Sequence, residues 1–98
     1  MRAKVAVRQS TRSDKRMMAE FQTKTIHFGA RNGSTFVDHQ DMKTKENWIK
    51  RHRANSDFND FDSAGSLARY VLWNKSTLYA SIQDLNRRQN QYMFVLKK

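Results

Sequence analysis

The chain has 98 residues, with 19 Lys and Arg against 9 Asp and Glu and a formal net charge of +10. That length holds one domain with a core too small for a deep active-site cleft, and the positive surplus calls for a polyanionic counterpart: nucleic acid, an anionic lipid surface or an acidic protein. Cysteine is absent, which removes disulfides, zinc-thiolate sites and thiol nucleophiles together and suits a reducing compartment.

A mean hydropathy of -0.92 is polar for a globular domain, yet 11% aromatic residues argue for a folded chain. No apolar run approaches the roughly 18 residues of a spanning helix. Met1 to Val5 leads into alternation instead of a signal-peptide segment, so a soluble product made in a cytosol is expected.

Ala3, Val5 and Val7 alternate with Lys4 and Arg8, the period of a half-buried strand. After turn chemistry at residues 11–14, a second strand places Met17, Ala19 and Phe21 on one face and Met18 and Glu20 on the other. Gln22-Thr23 is a poor hairpin turn by composition, but Ile26 and Phe28 resume the alternation, giving a three-stranded antiparallel meander. Gly29 and the cluster at residues 31–34 close the sheet, with Gly33 expected at positive φ and Thr35, Phe36 and Val37 as a short edge strand.

Asp41 is the expected N-cap of a helix running to about Ala54, with Glu46 early and Lys50, Arg51, His52 and Arg53 late, as the macrodipole prefers. Trp48 and Ile49 would anchor it. Residues 55–62 lack a period and read as a connector pinned by Phe58 and Phe61. Ser63 caps a helix through about Trp73 with Leu67, Tyr70 and Val71 inward, and Ser76 caps a last helix with Leu78, Ile82 and Leu85 at i, i+4 and i+7. Tyr92, Met93, Phe94, Val95 and Leu96 form an apolar segment of strong β propensity that needs cover. It either returns to the chain's own sheet as an edge strand or augments the sheet of a neighbouring subunit. The expected fold is α+β: an N-terminal antiparallel meander, about three short helices and a possible C-terminal edge strand, in a single domain over residues 1–98.

Three blocks stand out in fixed order: Lys24-Thr25-Ile26-His27-Phe28-Gly29-Ala30, Asn47-Trp48-Ile49-Lys50-Arg51-His52-Arg53, and residues 63–88 containing Trp73-Asn74-Lys75. Over roughly residues 15–89 they resemble a small basic family of large DNA viruses, nucleocytoplasmic giant viruses and tailed phages alike. That family shows a strand ending in T-I-H-F-G, a helix ending in R-H-R, a D-P-[LM]-T-A-G turn and an L-W-N-K-P-T corner. Two prolines of that pattern are replaced here, with Phe61-Asp62 preceding Ser63 and Ser76 following Lys75. The family carries no settled activity, so the resemblance implies a viral setting more than a mechanism. Residues 1–14, a basic strand and arm, and residues 90–98, an extension, flank the family-like part.

Enzyme and metal motifs are sparse. Asp38, His39 and Asp41 could supply metal ligands, and His52 with Asn55 and Asp57 faintly resembles a nuclease ligand set, but neither forms a complete constellation at ligand spacing. Phe28 and Phe36 flank a basic loop and could stack bases, though the alternation points Phe28 to the core. Trp48, Tyr70 and Trp73 read as packing. The expected contacts to a polyanion or partner are Arg2, Lys4, Arg8, Arg12, Lys15, Arg16, Arg31, Lys50, Arg51 and Arg53.

The leading expectation is a non-enzymatic virion protein without metal or cofactor, made in the host cytoplasm. It would be a minor capsid or cement component bridging other capsid subunits through charge and through residues 92–96. On that view residues 90–98 could be removed from a folded domain. The alternative is sequence-independent binding of nucleic acid for genome packaging, since no known reader of base edges is visible.

Overall fold

A computed structural model describes residues 2–54 and 58–97. Three N-terminal strands, β1 (Ala3–Gln9), β2 (Lys15–Glu20) and β3 (Thr25–Ala30), form the antiparallel meander. Two helices follow, α1 (Phe36–His39) and α2 (Met42–Arg53), then α3 (Ala64–Leu67) running on through a π-helical turn at Ala68–Leu72, then α4 (Leu78–Arg88). The chain closes with β4 (Tyr92–Leu96), which joins the same sheet in the order β3-β2-β1-β4. The architecture is α+β.

The alternation sets the sheet's two faces. Val5, Val7, Met17, Ala19, Phe28 and Phe94 form a buried cluster with Leu67, Val71, Leu72, Ile82 and Leu85 from the helices. The register places Lys4, Ala6, Arg8, Met18, His27, Met93 and Val95 on the opposite face. Met18 lies there between Arg8 and His27 in register and is still buried. Phe21, just past β2, packs edge-on to Tyr92 and Phe94 at 5.0 and 6.2 Å.

β4 pairs parallel with β1, Ala3 opposite Tyr92 through Val7 opposite Leu96. A parallel neighbour needs a long crossover, and the intervening helices supply it. Phe94 is 2% exposed, so the segment belongs to the core. Removing residues 90–98 would therefore open the core, contrary to the expectation of a detachable tail.

Three further expectations need correcting. Residues Thr35 to Val37 make no strand: Thr35 is the N-cap of α1, with its hydroxyl and backbone N–H bonded to Asp38 in a capping box. The positive φ falls at Gly29 (φ 77) and not at Gly33. The cap of α4 is Thr77, whose hydroxyl accepts from the Ala80 N–H, and not Ser76. Asp41 and Ser63 cap α2 and α3 as their positions suggest.

The Trp73-Asn74-Lys75 corner is a polar hub. Asn74, 3% exposed, donates to the Tyr70 carbonyl at 3.2 Å and to the Asp84 carboxylate at 2.8 Å. The Trp73 carbonyl accepts from Arg69, and the Asn74 carbonyl accepts from Lys45 Nζ. The Lys75 N–H donates to Ser81 Oγ. These bonds satisfy the carbonyls freed where the helix ends, and they account for the corner sequence as structure. Burial works against the charge of Asp84, but hydrogen bonds from Arg88 and Asn74 outweigh it and hold its carboxyl below the usual range. Burial, reinforced by the cations Arg69, Lys75 and Arg88, lowers the pKa of Lys45.

Candidate functional site

The three sequence blocks meet at one groove of about 630 Å³. Gly29 and Ala30 at the end of β3 line one part of it, as do Gly33, Ser34 and Thr35. α2 contributes Thr44, Trp48, Arg51 and His52. Ala64, Gly65 and Ala68 of the α3 segment, with Trp73 and the half-buried Lys15 of β2, complete the lining. Small residues leave the volume open, and Gly29 has a specific reason to be small. At φ +77 an added Cβ would lie 2.6 Å from Leu72 Cδ1.

Along one side runs an aromatic stack. Trp73 and Trp48 lie 5.0 Å apart at 12°, and Trp48 and His52 lie 4.0 Å apart at 18°. Exposure increases along it, from buried Trp73 through half-buried Trp48 to exposed His52. Trp48 and His52 meet because they stand four residues apart on α2. His52 Nδ1 donates to the Trp48 carbonyl at 2.8 Å, since a carbonyl only accepts. Phe58 lies parallel to Trp48 at 6.2 Å and anchors the connector.

The predicted cations divide into two groups. Arg8 pairs with Glu20 at 2.7 Å, Arg12 pairs with Asp14 at 3.1 Å, and Arg16 binds Asp38 and Thr35. Arg31 donates to the Ser10 and Arg12 carbonyls. These side chains tie the meander to its loops. Lys4, Lys15, Lys50, Arg51 and Arg53 make no ion pair among the described residues, and Arg2 lies half-buried ahead of β1. Lys50 and Arg53 border a shallow depression beside Ile49.

α2 has no buried residue. At 3.6 residues per turn Lys43, Asn47 and Lys50 fall in one line, flanked by Arg51 and Arg53, all exposed. Trp48 and Ile49, both half-buried, lie on the inner side. The helix is held by its ring stack and presents a cationic outer face.

The residues considered as metal ligands are otherwise engaged. The Arg16 guanidinium holds the Asp38 carboxyl well below the usual range, opposed by partial burial and aided by Thr35. Asp41 accepts from the Lys43 and Thr44 N–H groups, and His39 Nδ1 accepts from the Asp41 N–H. No group of three potential ligands occurs among the described residues. Asn55 and Asp57 lie outside those residues. His27 is bonded to Ser10 through Nδ1 at 2.7 Å, and Phe28 and Phe36 are buried in the core and are not a platform. No described helix is long and apolar enough to cross a membrane.

Residue-by-residue reading of the sequence missed the Trp48–His52 stack and the contribution of Lys43. The i, i+4 spacing of the two rings was the available signal.

A model of a family of unknown function (DUF5754) matches residues 5–52. The matched part is similar to that family from β1 into α2 and takes in the first block and most of the second. Comparison with curated proteins and with solved structures gave no match.

Proposed function

We propose that the chain is a non-enzymatic architectural protein of a virus particle that binds nucleic acid, without sequence preference, through the outer face of α2. The supporting observation is α2 itself: Lys43, Lys50, Arg51 and Arg53 stand exposed on a helix with no buried residue, and Lys15 lines the same groove as Arg51. A stabilising role inside the fold would pair such cations, as the meander pairs Arg8, Arg12 and Arg16. Phosphate contacts by four such groups give a slope of log affinity against log salt of about 3 to 4. The viral setting rests on the resemblance of the three blocks.

Titration of a labelled oligonucleotide at low and moderate salt tests this reading. The wild type should bind at low salt and weaken steeply as salt rises, and the triple variant K50Q/R51Q/R53Q should lose at least tenfold in affinity while still unfolding in a cooperative transition. Absence of binding at low salt would overturn the proposal.

A second reading is favoured by the position of β4 at an edge of the sheet, with Met93 37% exposed on it. On that reading the protein is a minor capsid or cement component, and an apolar patch of a neighbouring subunit docks over Met93, since the outward backbone groups of Tyr92 and Phe94 are already bonded by the Gln89 and Asn86 amides. Incorporation into particles that survives the α2 triple variant but fails in the folded Met93→Lys variant would select it.

A further inference from the structure

We propose that the His52 end of the aromatic stack seats one unpaired nucleobase, whose adjoining phosphate is held in the groove by Arg51 and Lys15. The inference rests on the nucleic-acid reading and narrows its ligand from any polyanion to a strand with accessible bases.

The geometry of the stack carries the argument. Three rings are nearly parallel, and they run from a buried tryptophan to an exposed histidine. The inner face of His52 is covered by Trp48, and among the described residues no further ring covers its outer face. A stack that ends on an exposed planar ring is extended by another planar ring, and every base has one. His52 is held for this role by its Nδ1 bond to the Trp48 carbonyl, which helps orient the ring.

The groove supplies the remaining requirements. Its volume of about 630 Å³ lies within the range of small-ligand sites. Arg51 precedes His52 on α2, and Lys15 of β2, Ser34 and Thr44 line the same groove, so it holds two cations and two hydroxyl-bearing residues together with the ring. Charge and stacking surface together distinguish this face from a merely solvated basic patch. A base paired inside a duplex stays in its own stack, so only an unpaired one can reach the ring without an unstacking cost.

The test uses the full chain and three probes: a short oligothymidylate, an abasic strand of the same length, and a hairpin duplex. Binding and tryptophan fluorescence are followed together. The oligothymidylate should bind about tenfold more tightly than the abasic strand and quench the tryptophan emission. His52→Ala should abolish that preference while leaving abasic-strand binding in place, and His52→Phe, which restores a planar ring, should recover it. Equal affinity of the wild type for oligothymidylate and abasic strand would overturn the base seat while leaving the phosphate contacts of α2 standing. Failure to bind any of the three would remove the nucleic-acid reading and the seat with it.

Discussion

Asn74 links two helices with one amide: its NH₂ group serves the Tyr70 carbonyl and the Asp84 carboxylate at once. Replacing it with Ala strands a nearly buried acid and a helix-end carbonyl, because Arg88 can satisfy only part of Asp84. Asn74→Ala should cost about 2 to 3 kcal/mol, read as a lowered denaturant midpoint. Gly29 is constrained in another way. Its positive φ and the 2.6 Å approach to Leu72 Cδ1 act together: the backbone is strained for any residue with a Cβ, and the fully buried Leu72 would have to shift. Gly29→Ala should therefore cost about 1 to 3 kcal/mol in chemical unfolding, although Gly-to-Ala changes at relaxed sites often stabilise.

Among the elements, β4 combines two features: it completes the core through Phe94, and its outer edge is capped by the Asn86 and Gln89 amides, which bond the N–H and C=O groups of Phe94 and Tyr92. Phe94→Ala should lose about 3 to 5 kcal/mol, enough to abolish the cooperative thermal transition of a small domain, whereas Met93→Lys on the exposed side should fold normally. The β propensity of residues 92–96 was legible in the sequence, but its partner was not. Parallel pairing with β1 depends on the crossover through four helices, which no local pattern encodes. α1 was hidden for a different reason. Four residues are too few to show a period, and the Thr35 and Asp38 capping pair was the only sign of it. The caps at Asp41 and Ser63 were legible because an oxygen-bearing side chain immediately precedes each helix. The candidate site was legible only in part: the three blocks and the α2 cations stand out in the chain, while their convergence on one groove needed the fold. Arg8, Arg12, Arg16 and Arg31 looked equivalent to the α2 cations until their partners could be seen.

For the whole molecule, acid is the natural stress. Asp38 and Asp84 both have carboxyl pKa values held below normal in the fold, by Arg16 in one case and by Arg88 and Asn74 against burial in the other. Both carboxyls revert to an ordinary value near 3.9 on unfolding, so below about pH 4 the unfolded chain binds more protons than the folded one. Their contribution is complete above that pH and is lost as the pH falls. Thermal unfolding followed from pH 6 to pH 3 should show the transition dropping below about pH 4, with a smaller drop in Asp38→Asn. The sheet's first and last strands also lie side by side. A ribosome delivers β1 early and β4 only after the helices, so during synthesis the inner edge of β1 stays unsatisfied until the final strand emerges. Such long-range closure slows folding, and the nascent chain is most prone to pairing with a neighbour's exposed strand in the interval before Phe94 reaches its place.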